Sequence, residues 1–126
     1  MKNAAKIQKF EDLIAWQKSK RLSILIYRIT GEGLFKKDFN LKCQIRKASI
    51  SVMSNIAEGF DRYSTKEFMY FLSIARGSVA EIRSQIHLAE ELGYINQIEA
   101  TSIVDLCIEI ALIIGGLRKS LERKLN

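Results

Sequence analysis

Apolar residues recur at helical spacing in four long runs of this chain, separated by glycines and short polar stretches. In the first run Leu22, Leu25, Ile26 and Ile29 share a face and Gly31 and Gly33 break the pattern, so the spacing predicts a helix over residues 11–30, with Trp16 as a core anchor near its start. Asp38 is a good N-cap for a second helix over 38–58, where Leu41, Ile45, Ala48, Val52 and Ile56 fall on one stripe and Gly59 is the stop. Ser64 and Glu67 form an S-x-x-E capping box for a third helix over 65–92. Its apolar residues, from Phe68 through Val79 to Ala89, step by fours and threes until Gly93. A fourth helix over 97–124 follows Asn96, with Glu99 three positions on, and its main stripe runs from Ile103 to Leu121. The connections are short enough to force antiparallel neighbours. The expected fold is all-α, an up-down-up-down antiparallel four-helix bundle in one domain over residues 1–126.

Two of these helices carry a second apolar stripe. Cys43, Ile50, Met53 and Ala57 lie nearly opposite the first stripe of the second helix, and Val104, Ile108, Ala111 and Leu112 do the same on the fourth. A lone bundle needs only one stripe per helix. At roughly 100 Å² per side chain and about 25 cal/mol per Å², covering each one is worth a few kcal/mol. The pattern predicts a homo-oligomer with Ile50, Met53, Val104, Ile108 and Leu112 in its interface.

Composition supports long helices: there is no proline, where average usage would place about six. The first residues lack the apolar core of a secretory signal, and the longest uncharged apolar run, Ile110 to Leu117, is short of the ~20 residues that span a bilayer. The expectation is a cytoplasmic protein with no membrane partner. Cys43 and Cys107 sit in apolar patterns and read as buried thiols.

The net charge of +6 is uneven. Residues 1–47 hold 12 Lys/Arg and 4 Asp/Glu, giving +8, and residues 48–126 hold 8 and 10, giving −2. A segment this basic attracts phosphate backbones. The candidate nucleic-acid contacts are Lys18, Lys20, Arg21 and Arg28 on the first helix and Lys36, Lys37, Lys42 and Lys47 around the start of the second.

No catalytic constellation emerges. His87 is the sole histidine, no Glu-x-x-His motif exists for a di-iron bundle, and no glycine-rich phosphate loop follows a strand, so neither metal, cofactor nor enzymatic activity is expected. Polar residues bordering the seams, with Gln44, Asn55, Glu58, Glu81 and Gln85 as the main set, read as hydrogen-bonding groups that fix the register between helices.

The stretches FEDLIAWQKS and LKCQIRKASISVMSNIAEGFDRYSTKEFMYFLSIARGSVAEIRSQIHLAEELGYI resemble the four-helix-bundle family named for 23S rRNA intervening sequences, also called S23 ribosomal proteins. The likeness covers about residues 10 to 96, with SNIAEG, KEF, GS and LGYI as its signature. The resemblance implies a small, cytoplasmic, non-enzymatic bundle assembled as a homopentameric ring. Similar bundles act as the accessory variability determinant of diversity-generating retroelements, which implies RNA and a reverse transcriptase as partners. The combined expectation is a basic, oligomeric RNA-binding accessory protein, with a protein-interaction scaffold that binds no nucleic acid as the alternative.

Overall fold

The computed structural model describes residues 7–125. A single 3-10 turn, Phe10–Asp12, precedes five helices: α1 Ile14–Thr30, α2 Gly33–Lys37, α3 Phe39–Phe60, α4 Thr65–Glu91 and α5 Gln97–Leu125. No strand occurs among the described residues.

Four helices correspond to the four apolar runs, and the differences have local causes. The first helix begins at Ile14 rather than near residue 11, because Leu13 is extended (φ −74°, ψ 128°) and separates the 3-10 turn from α1. Phe10 then folds back edge-on to Trp16, with centroids 5.2 Å apart. The short connection over residues 31–37 contains α2, a helix the apolar spacing does not predict. Gly33 starts it with φ 57°, a conformation that suits glycine, and the helix turns Phe35 fully inward against Tyr94.

Helix ends follow the capping signals. The Asp38 carboxylate accepts the Leu41 N–H at 3.0 Å and the Ser64 hydroxyl accepts that of Glu67 at 3.0 Å. The reciprocal half of the expected capping box is absent at α4, since the Glu67 carboxylate turns to Arg62 at 3.5 Å. At α5 both halves form: Glu99 N–H donates to Asn96 Oδ1 at 2.8 Å and Asn96 N–H to Glu99 Oε1 at 3.2 Å. Gly93, at φ 78°, closes α4 with Tyr94 N–H on the Ala89 carbonyl and Gly93 N–H on that of Glu90, the paired bonds of a Schellman end.

Gly59 does not stop a helix. It lies within α3, buried, and a Cβ there would sit 2.7 Å from Phe71 Cβ and 3.0 Å from Phe68 Cδ1. Its function is close approach of α3 to α4.

The core is the set of first stripes: Leu22 and Ile26 from α1, Ile45, Val52 and Ile56 from α3, Leu72, Val79, Ile82 and Ile86 from α4, Cys107, Ile110 and Ile114 from α5, all essentially out of water. Helix α1 packs on α3 and α5, and α4 packs on α3 and α5. Ser51 meets Ser78 and, further along, Asp38 meets Tyr94, so early α3 faces late α4. In the same sense Ser23 meets Ser49, Lys18 meets Glu109 and Arg118 meets Met69. The buried hydroxyls on the α1–α3 face are satisfied: Ser23 donates to the Ser49 carbonyl at 3.0 Å, and Ser19 and Thr30 donate to carbonyls of their own helix. Helix α5, taken alone, is long and apolar enough to cross a membrane. Here one stripe faces the core, and Glu109 pairs with Lys18 across the seam to α1.

Candidate nucleic-acid interface

The eight candidate cations are spread over α1, α2 and α3. Arg28, Lys36, Lys37 and Lys42 lie at the end of the bundle where α1 ends, α2 lies and α3 begins, Arg28 also lining one cavity with Lys20 and Arg21 and another with Glu32 and Glu99, and no carboxylate approaches any of the four within 4.0 Å among the described residues. Lys42 lies over the Phe39 ring, with Nζ 5.5 Å from its centroid, which orders the side chain without neutralising it. Further along α1 the picture differs. Lys18 is tied to Glu109 at 2.9 Å, and Lys20 packs over Trp16 at 5.6 Å, with Arg21 exposed between them. Lys47 is on another side of the molecule, lining a cleft of about 330 Å³ between α3 and α4 with Gln44, Ser51, Ser78 and Glu81.

Arg46, a neighbour of this set, has a structural task. Its guanidinium donates to Thr30 Oγ1 at 2.8 Å and to the Tyr27 carbonyl at 3.3 Å while stacking on the Tyr27 ring at 4.3 Å. It locks the end of α1 to α3 and so holds the basic corner in shape.

The polar residues expected to stitch helices mostly bond within their own helix. Gln44 donates to Asn40, Asn55 to Ser51, Gln85 to Glu81, and Glu58 accepts from Arg62. The cross-helix bond in this cleft is instead Ser51–Ser78, at 2.9 Å. Gln85 Oε1 is buried with no partner among the described residues. The short serine side chains win because α3 and α4 approach closely here, leaving longer side chains to lie along the surface.

The second apolar stripes divide. Met53 is half-buried, its sulfur 3.6 Å from Ser23 Oγ on α1, and Val104 packs against the core. Ile50 and Ile108 remain 43% and 36% exposed and Leu112 70%. Cys43 is exposed, which corrects the expectation of a buried thiol: it lies on the outer face of α3, away from the core stripe of Leu41 and Ile45. Cys107 is buried as expected, and burial pushes its thiol up to about 12, with Arg83 opposing slightly. No group of three or more potential metal ligands exists among the described residues.

A polar link at the basic corner joins Asp38 to Tyr94, whose hydroxyl donates to Oδ2 at 2.8 Å. The Leu41 N–H, first, and the Tyr94 hydroxyl hold the Asp38 carboxyl below its ordinary value, and the same bond holds the Tyr94 phenol above its own. One carboxylate thus caps α3, anchors the α4–α5 turn and fixes the start of the basic helix.

This architecture is an all-helical bundle with a cationic corner and an exposed apolar stripe on α5. The family model of the 23S rRNA-intervening sequence protein matches residues 11–116, and the chain belongs to that family. A crystal structure at 1.70 Å of a protein of unknown function from the S23 ribosomal protein family, from Bacteroides thetaiotaomicron VPI-5482, superposes with a TM-score of 0.77 at 24% identity, covering 84% of this chain and 99% of that one. That likeness speaks to the fold. No curated protein matches the chain.

Proposed function

We infer that the protein is a non-enzymatic, RNA-binding accessory protein. In this reading the helices form an up-down-up-down antiparallel four-helix bundle that assembles into a homopentameric ring through the exposed apolar residues of α3 and α5. The observation that carries it is the set of Arg28, Lys36, Lys37 and Lys42, four cations at one end of the bundle, none with a carboxylate within 4.0 Å among the described residues. Such a surface holds phosphates by charge, and five copies at +6 would carry about +30, summing many weak contacts into one firm one. The ligand is structured RNA: an rRNA in keeping with the family's description, or the template RNA of a diversity-generating retroelement, whose reverse transcriptase would be a second partner. The site of action would be the cytoplasm. No cofactor or metal enters this reading.

The exposed Leu112, Ile108 and Ile50 favour assembly over a solitary bundle, since wet side chains of this size on two helices gain by being covered. The test is RNA retention by the wild-type protein and by the charge-reversed Lys36→Glu/Lys37→Glu/Lys42→Glu/Lys47→Glu variant across a salt series. Expected are a steep loss of wild-type affinity with salt and near-complete loss in the variant. Affinity that ignores salt sinks the reading and leaves the protein-interaction scaffold in its place.

A further inference from the structure

Two aromatic side chains stand out into solvent beside the α3–α4 turn. Tyr63 is fully exposed, at 106% of its reference accessibility, and Tyr70 is 63% exposed. Tyr63 immediately precedes the N-cap Ser64, where an apolar residue normally folds back onto the fourth helical residue as a hydrophobic staple. That residue is Phe68, and here Phe60 covers it, edge to face at 5.9 Å. The entry angle of α4 is therefore fixed without Tyr63, whose ring stays in water.

Tyr70 follows Lys66 by four residues, so the two share one face of α4 a turn apart. Its ring meets Phe71 edge to face at 5.5 Å. Lys66 has no carboxylate within 4.0 Å among the described residues. Arg62, in contrast, is bound to Glu58 and Glu67 and stacks on Phe71, so it does not compete for the tyrosines. On α5, Arg118 donates to the Met69 carbonyl at 3.4 Å, which brings the exposed Lys119 and Arg123 to this end of α4.

We propose that Tyr63 and Tyr70 form a stacking platform for unpaired bases of single-stranded RNA, with Lys66 taking an adjacent phosphate. The proposal rests on the RNA-binding reading and adds that part of the bound RNA is unpaired. Every base offers a π-face to an aromatic ring, whereas a duplex hides those faces and presents mainly phosphates and 2′-hydroxyls. Exposed tyrosine rings near the start of α4, with Lys66 one helical turn from Tyr70, suit the first ligand.

The experiment measures binding of the full chain to an oligouridine single strand and to an RNA duplex with the same number of phosphates. The proteins compared are the wild type, the Tyr63→Ala/Tyr70→Ala variant and the Tyr63→Phe/Tyr70→Phe variant. The alanine variant should weaken the single strand roughly tenfold to a hundredfold, while the duplex changes less than about twofold and the phenylalanine variant matches wild type. Equal weakening of both RNAs, or none, overturns the platform and leaves the phosphate reading intact. A changed sedimentation coefficient in the alanine variant overturns it in favour of a second copy of the chain packed on this surface. A wild-type protein that binds neither RNA overturns the platform together with the RNA reading.

Discussion

The two seams that join neighbouring long helices at opposite sides of the bundle are built differently. Between α3 and α4 the contact is the most extensive in the molecule. Gly59 admits Phe68 and Phe71 at one end, Ser51 and Ser78 bond in the middle, and Asp38 and Tyr94 close the other end. Between α1 and α5 the packing is the slightest of the four helix pairs. Cations on α1 (Lys18, Arg21, Arg28) face carboxylates on α5 (Glu109, Asp105, Glu99), yet only Lys18 and Glu109 touch. Cavities of about 340 and 330 Å³ lie along that seam, the first floored by Leu25, Ile29 and Ile103. Small residues at a seam let backbones close and make each ångström specific, whereas long charged side chains hold helices apart and leave their shared surface adaptable.

This contrast can be broken most severely at Gly59. Gly59→Ala places a methyl against the Cβ of Phe71, which cannot swing aside, so it should cost about 1–3 kcal/mol in chemical denaturation. Gly77→Ala is the control on the same helix pair. Nothing lies within 4 Å of its missing Cβ, and the helix should gain about 0.5–1 kcal/mol. If both glycines respond alike, close approach is not what distinguishes the α3–α4 seam.

A smaller effect concerns the latch at the far end of that seam. The native Asp38 carboxyl titrates below its ordinary value, so its stabilisation is complete above about pH 4 and is lost as pH falls through the lower native value. The Tyr94 phenol titrates above its ordinary value, so its share is present below about pH 10 and is lost as pH rises through the native value. Tyr94→Phe should therefore flatten the acid limb of the stability profile and remove the alkaline one. A pH series of thermal melts with unchanged limbs would show that the latch carries no linkage.

The smallest effect belongs to the looser seam. Lys18→Ala removes a partly exposed ion pair and should cost less than about 1 kcal/mol, with the difference vanishing at high salt. A larger, salt-resistant loss would mean that α1 and α5 are held as firmly as α3 and α4.

The basic corner and the proposed platform differ in how far the sequence alone reveals them. Lysines 36, 37 and 42 lie close together in sequence, and the break at Gly31 and Gly33 leaves them at the same end of the bundle as Arg28 by connectivity alone. Lys18 and Lys47 look equivalent to them by charge, but one meets Glu109, ninety-one positions away, and the other opens onto the α3–α4 cleft. Tyr63 sits directly before Ser64, where a staple residue belongs, and it is left exposed with Phe60 packed on Phe68 instead.

What the sequence determined by itself is everything governed by spacing along one chain. Apolar periodicity placed the four long helices and their core stripes, and Asp38, Ser64, Gly93 and Asn96 marked helix ends, because capping and amphipathicity are settled within a turn or two. Tertiary structure alone decided what Gly59 is for, which hydroxyls bridge α3 and α4, which stripe residues stay wet and which cations are neutralised. Each of those depends on how closely two helices approach and at what register. Such distances are set by packing among residues far apart in sequence, which no local pattern encodes.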